Sequence, residues 1–160
     1  APFGEGYRWH CTGLFHDESG APSGKADVAD KLLRRLQLKM DKNAPDMWDN
    51  VSEGTEDCDI AVVSFGSSAM SALSAVRRAR REGVKAGMLR LKTIWPFPEP
   101  AIRELASRAK AIVVPEMNLG QLALEVERVA GCRSRVIRVG KVNGELFRPD
   151  EIYDVIMGAK

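Results

Sequence analysis

The chain has 160 residues, enough for one sizeable core with an appended segment and too few for two full domains. Its 44% hydrophobic and 29% charged residues mark an ordinary globular protein, and a formal net charge of +2 gives no global attraction to nucleic acid or anionic membrane. No apolar run approaches membrane-spanning length.

Residues 1–24 are rich in Gly, Pro and aromatics and close on the turn-dense Asp17-Glu18-Ser19-Gly20-Ala21-Pro22-Ser23-Gly24, which reads as a connector. With Glu5 and Arg8 among aromatics and glycines, this start makes no signal peptide. Beginning at Ala1 rather than Met, the chain reads as a fragment of something longer or as a processed product. Val28, Leu32, Leu33, Leu36 and Met40 predict a helix from about Lys25 to Lys42. Asn43 to Asp57, with Pro45, Gly54 and many acids, breaks that pattern. The expected organisation is a connector and helix over 1–57 and a compact domain over 58–160.

From Cys58 the sequence alternates. Ile60-Ala61-Val62-Val63-Ser64-Phe65 is the continuous apolar run of a parallel strand covered on both faces, and Gly66 stops it. Ser67 or Ser68 is expected to cap the next helix, which carries Met70, Leu73 and Val76 on one face and ends at Gly83. Lys85 to Lys92 predicts a second strand leading to Trp95-Pro96-Phe97-Pro98, an extended turn, and Glu99-Pro100 opens a helix with Ile102, Leu105, Ala106 and Ala109. A third strand, Ala111 to Val114, precedes a helix with Leu119, Leu122, Ala123, Val126 and Val129 that closes at Gly131. A fourth strand, Val136 to Val139, precedes a helix started by Pro149, Asp150 and Glu151. Four strand–helix pairs in succession predict a three-layer α/β/α sandwich with a mostly parallel sheet; a fifth strand has no assigned place.

The candidate chemistry is sparse. Glu116 and Asn118 follow the third strand at the carboxyl edge of the sheet, where open α/β sheets gather ligands, and Gln121 opens the helix beyond. Glu116 has the placement of a general acid or base, or of a carboxylate that ties down a loop. Gly66, Ser67 and Ser68 occupy the first strand-to-helix turn, either holding an anion or only capping the helix. Trp95 and Phe97 between prolines belong either to a domain or subunit boundary or to the core. Arg77, Arg78, Arg80, Arg81 and Lys85 form the strongest local charge, read as a solvated helix face, with an acidic or phosphorylated partner as the alternative. Aromatics are not interleaved with these cations, which disfavours RNA.

Several motifs are absent or incomplete. No GxGxxG follows a strand, and Gly20 to Lys25 has three residues between its glycines where a phosphate loop needs four. His10, Cys11, His16 and Asp17 have zinc-compatible atoms without a second spaced pair, so a plain connector is preferred. Cys11, Cys58 and Cys132 make neither a disulfide framework nor a CxxC cluster site, which points to a reducing, cytoplasmic setting.

Thr12-Gly13-Leu14 with His16-Asp17-Glu18, Phe65-Gly66-Ser67, Ile94-Trp95-Pro96-Phe97-Pro98, Pro115 to Gln121 and Val142-Asn143-Gly144-Glu145 together resemble the alpha subunit of 2-oxoacid:ferredoxin oxidoreductases, the 2-oxoglutarate type most closely. The resemblance covers nearly the whole chain. It implies a transketolase C-terminal-like domain that follows an upstream thiamine-binding domain of the same subunit. It also implies a beta subunit, with or without a gamma subunit, and ferredoxin as electron acceptor. The holoenzyme would use thiamine diphosphate, magnesium and iron–sulfur clusters, and would pass the acyl group to coenzyme A. This chain lacks a GDG diphosphate motif and cluster cysteines, so no cofactor is expected on it, and a structural, assembly-related role follows. The alternative is a module in which Ser67, Ser68, Glu116 and Asn118 surround a small anion, such as the phosphates of coenzyme A.

Overall fold

A computed structural model describes residues 2–8 and 12–160, which fall into two compact units, Ala1–Ala44 and Pro45–Lys160. In the first unit, the turn foreseen near Asp17 is organised by one carboxylate. Asp17 Oδ1 accepts bonds from Ser19 N at 2.9 Å, Ser19 Oγ at 2.5 Å and Ala21 N at 3.1 Å. Its carboxyl is held below the usual range, first by the Ser19 hydroxyl. Helix α1, Ala26–Met47, runs further than the periodicity predicts and ends just past Pro45. Pro45 removes the bond its N–H would give to the carbonyl four residues back, and the helix ends within two residues of it.

The second unit contains β1 (Asn50–Glu53), β2 (Ile60–Phe65), α2 (Gly66–Arg81), β3 (Ala86–Leu91), α3 (Glu99–Arg108), β4 (Ala111–Glu116), α4 (Gln121–Ala130), β5 (Arg135–Gly140) and α5 (Pro149–Gly158). The five strands form one sheet in the order β1-β3-β2-β4-β5, parallel except for β1. The unplaced fifth strand is therefore β1, an edge strand inside the stretch 43–57 that the sequence assigns to the connector. Its four residues, Asn-Val-Ser-Glu, carry no continuous apolar run because only one of its edges is paired.

Alternation along the strands divides the core. Ala61, Val63, Leu89, Leu91, Ile112 and Val114 face α3 and α4, where Ile102, Leu105, Leu122 and Val126 meet them. Ile60, Val62, Met88 and Val113 face α2 and α5, against Val76, Ile152 and Ile156. On α2, Ala69, Ala72, Ala75 and Ala79 are fully buried, so the helix backbone lies close to the sheet. The result is the α/β/α sandwich that the strand–helix alternation predicts.

One irregularity shapes the functional edge. Strands β2 and β3 are in register along six residues, from Ile60↔Ala86 to Phe65↔Leu91, whereas β2 and β4 pair only from Ile60↔Ala111 to Val62↔Val113. Pro115 has no N–H to continue that ladder, and Ser64 Oγ instead donates to the Pro115 carbonyl at 2.7 Å.

Candidate functional site at the carboxyl edge of the sheet

Strand β2 feeds α2 on one face of the sheet, and β4, its neighbour, feeds α4 on the other. Their carboxyl ends thus diverge, which makes the gap between them the switch point where open α/β sheets gather ligands. The sequence-predicted residues are distributed along this edge: Gly66, Ser67 and Ser68 follow β2, Glu116 ends β4 with Asn118 and Gln121 beyond it, and Trp95 and Phe97 follow β3.

The first turn differs from expectation. Phe65 occupies the cap position of α2 in extended backbone, Gly66 adopts φ +58° inside the helix start, and no side chain caps the helix. Ser67 and Ser68 are helical residues rather than caps, because the chain turns into α2 directly from β2. Ser68 is buried; Ser67 is exposed and donates weakly to Met117 Sδ at 3.6 Å.

Glu116 is only 1% exposed, and both of its oxygens are engaged. Oε2 accepts the Leu122 amide at 2.7 Å and Oε1 the Ala123 amide at 2.9 Å. Asn118 Oδ1 accepts the Gly120 and Gln121 amides at 2.8 and 2.9 Å. Together the two side chains satisfy the amides at the start of α4, and the carboxylate lies at the positive end of the helix dipole. Gly120 reaches φ +109°, a conformation that favours glycine, so that the loop can fold back over Glu116.

The two aromatics of the Trp-Pro-Phe-Pro turn separate. Phe97 is buried in the core beside α3, whereas Trp95 is 62% exposed. The peptide bond between Trp95 and Pro96 is cis, and the Pro96 carbonyl accepts the indole N–H of Trp48 at 3.0 Å. Sequence reasoning did not single out Trp48, since the connector in which it lies gives no periodic signal.

The basic stretch of α2 turns largely inward on the molecule's own acids. Arg77 grips Glu53 of β1 through two bonds of 2.7 Å, and Arg80 bonds Asp57 at 3.1 Å and the Ala86 carbonyl at 2.8 Å. Arg78 pairs with Asp150 at 2.7 Å and lies 3.9 Å from the centre of the Tyr153 ring. At the far end of the edge, Lys141 Nζ binds Glu151 at 3.0 and 3.2 Å and the Leu146 carbonyl at 3.2 Å, fastening the loop 141–148 to α5. Glu151 is held below the usual carboxylate range by the Arg148 amide first and Lys141 second.

Among the described residues, no three or more His, Cys, Asp or Glu side chains are grouped so as to hold a metal ion. His10 and Cys11 lie outside the described residues; His16 and Asp17 are exposed and belong to the turn already described. The Cys58 thiol is buried, which pushes its pKa up and leaves it a poor nucleophile. No helix among the described residues is long and apolar enough to cross a membrane.

Residues 58–152 match the family described as pyruvate:ferredoxin oxidoreductase core domain II. The 2-oxoglutarate synthase subunit KorA of Methanothermobacter marburgensis is 45% identical over 159 residues, which are 99% of this chain and 42% of that protein. The subunit of the same name from Methanocaldococcus jannaschii is 44% identical over 156 residues, 98% of this chain and again 42% of its own. The chain therefore spans about two fifths of the length of the curated relatives it matches. Among solved structures, the 2-oxoglutarate:ferredoxin oxidoreductase from Magnetococcus marinus with 2-oxoglutarate, coenzyme A and succinyl-CoA bound is similar over 99% of this chain and 28% of its own, at TM-score 0.75 and 25% identity. A split-gene transketolase, an inactive β4 tetramer, matches 69% of this chain and 41% of its own at TM-score 0.59 and 23% identity, a likeness of fold alone.

Proposed function

Because the chain belongs to the KorA-like alpha subunits of 2-oxoacid:ferredoxin oxidoreductases, as their core domain II with the transketolase C-terminal-like fold, we propose that it works inside a thiamine-diphosphate-dependent enzyme that oxidises a 2-oxoacid. That enzyme converts the 2-oxoacid, coenzyme A and oxidised ferredoxin into acyl-CoA, carbon dioxide and reduced ferredoxin. The names of the similar KorA subunits support 2-oxoglutarate as the acid. The working partners are the thiamine-binding domain of the same subunit, a beta subunit with or without a gamma subunit, and ferredoxin, in a cytoplasmic setting.

Within that enzyme the role of this chain is to pack and position. The observation that carries this reading is the consumption of the edge's best polar groups by the chain itself: the Glu116 carboxylate and the Asn118 carbonyl are spent on amides of their own loop and helix. A diphosphate with its magnesium ion needs a carboxylate or amide oxygen turned toward the metal, and a cluster needs paired thiolates. Here Glu116 and Asn118 are turned to their own amides, and Cys58 and Cys132 are free thiols. An anion subsite is the other reading of the same edge. The internal pairing of Arg77, Arg78 and Arg80 with Glu53, Asp150 and Asp57 leaves it little positive charge to draw on.

The assembled enzyme tests both parts. Reduction of a viologen dye with coenzyme A should be fastest with 2-oxoglutarate; faster turnover of pyruvate or a branched 2-oxoacid would remove that substrate assignment. Ser67→Ala and Asn118→Ala should leave kcat and the KM for coenzyme A within a few-fold. A loss of a hundredfold in either, with assembly intact, would replace the packing role by a direct one.

A further inference from the structure

The two edges of the sheet differ in chemistry. At the amino edge, the segments 54–59, 82–85, 109–110 and 131–134 carry Asp57, Asp59, Glu82, Lys85, Lys110 and Arg133, and none of their large apolar residues is exposed. At the carboxyl edge the balance reverses. Ile94 and Trp95 are exposed after β3, Leu119 after β4, and Val142 and Leu146 after β5. Met70 and Leu124 are exposed in the first turns of α2 and α4, which start from the same edge. From Cys58 onward, these are all the large apolar side chains that the fold leaves exposed.

Most of the charges that reach this edge are engaged, although Arg148 is largely exposed and 4.0 Å from Glu151, and Arg90 near the end of β3 has no ion pair among the described residues. Lys92 is held by Asp49 at 2.9 Å, Lys141 by Glu151 at 3.0 Å, and Glu145 lies 3.7 Å from Lys141. The loops are also fastened to one another: the Lys141 amide donates to the Glu116 carbonyl at 3.1 Å, and Ser71 Oγ to the Phe147 carbonyl at 2.6 Å. A pre-ordered edge, rich in exposed apolar side chains and poor in free charge, has the composition of an interface centre.

We propose that this carboxyl edge, centred on Trp95 and Leu119, is the face on which the remainder of the same alpha subunit docks. The inference rests on the function proposed above. In the similar KorA subunits the matched region makes up 42% of one longer polypeptide, so a larger covalently joined neighbour accompanies it. A permanent neighbour on the same chain needs no charge steering to find its site and tolerates an apolar contact resembling a divided core. A transiently bound ferredoxin or a free anion would call for a concentration of unpaired charge, whereas most of the charge at this edge is already paired.

Labelling of the assembled enzyme tests the face. Leu119 is 85% exposed here, so Leu119→Cys disturbs no packing of the chain itself. In the native assembly, maleimide should react with residue 119 at least thirtyfold more slowly than in the same protein unfolded in urea, and Val142→Cys should behave alike. A smaller ratio at both positions overturns the proposal. Leu119→p-benzoylphenylalanine, irradiated in the assembly, identifies the occupant: a crosslink within the alpha subunit supports the proposal, and one to another subunit or a second copy overturns it. If residue 119 labels freely in an enzyme that still oxidises a 2-oxoacid, the docking face fails while the proposed function stands. Protection in an assembly that turns over no 2-oxoacid has the opposite meaning.

Discussion

Glu116 closes β4 and reaches across its own loop to Leu122, with carboxylate oxygen and amide nitrogen 2.7 Å apart and the carboxylate almost wholly buried. A carboxylate placed so deeply is accommodated because the amides of a helix start surround it. Strand end and helix start are thereby one unit, and α4 cannot shift along the sheet without exposing or orphaning that carboxylate.

Replacing Glu116 by Ala removes the acceptor of two charge-assisted bonds and leaves the Leu122 and Ala123 amides buried without partners. The expected cost is about 3 kcal/mol, and about half of that for Glu116→Gln, which keeps one acceptor oxygen. Urea midpoints of the three proteins check it. A Glu116→Ala protein as stable as the parent would mean that the carboxylate is not what holds the helix.

Gly140, the last residue of β5, has no room for a side chain: a Cβ there would lie 2.7 Å from the Asn118 carbonyl oxygen. The obstacle is backbone, so Gly140→Ala must displace either β5 or the loop that carries Asn118. A loss of about 1–3 kcal/mol is expected. Thermal unfolding measures it, and amide exchange at Gly120 and Gln121 should rise in the variant. Unchanged exchange there would place the strain elsewhere.

Glu99 opens α3 and accepts bonds from Arg128 of α4 and Arg103 of its own helix, both at 2.7 Å. Arg128 first and Arg103 second hold its carboxyl below the usual glutamate range. Its contribution to stability is therefore complete above the ordinary glutamate value of about 4.3, and fades as the pH falls through the lower value of the folded protein. Solvent screens the clasp, so the effect is modest. Glu99→Gln should be less stable than the parent at pH 7, with the gap narrowing by pH 3; an equal gap in urea midpoint at both pH values would contradict this.

The buried strands were the legible part of the sequence. Ile60 to Phe65 and Ala111 to Val114 are apolar on both faces because helices cover both, and such runs stand out. Strand β1 does not, since an edge strand of four residues needs neither an apolar run nor alternation. The capping of α2 was misread because serine after a strand usually signals a cap, whereas here Gly66 lets the chain turn at once into the helix. The capping of α4 was hidden for a different reason. Glu116 acts six and seven residues away, across a loop whose path no local pattern encodes. The arginines of α2 read as a free basic face because their partners, Glu53, Asp57 and Asp150, lie 23 to 72 positions distant. Of the aromatics, the sequence left Trp95 and Phe97 with the same two readings, boundary or core, and only the packing sends one outward and the other in.

The bond from Ser64 to the Pro115 carbonyl has a consequence for how this edge can change. Where β2 and β4 part, main-chain pairing gives way to a hydroxyl, so the contact between the strands there depends on one side chain. Ser64 is fully buried, so a larger residue there would have to displace its neighbours, whereas Ser64→Ala would drop this one bond and leave the ladder below in register. The sheet's backbone is thus a fixed frame up to Val62 and Val113, and beyond that level these two strands are tied by a serine hydroxyl on a proline carbonyl.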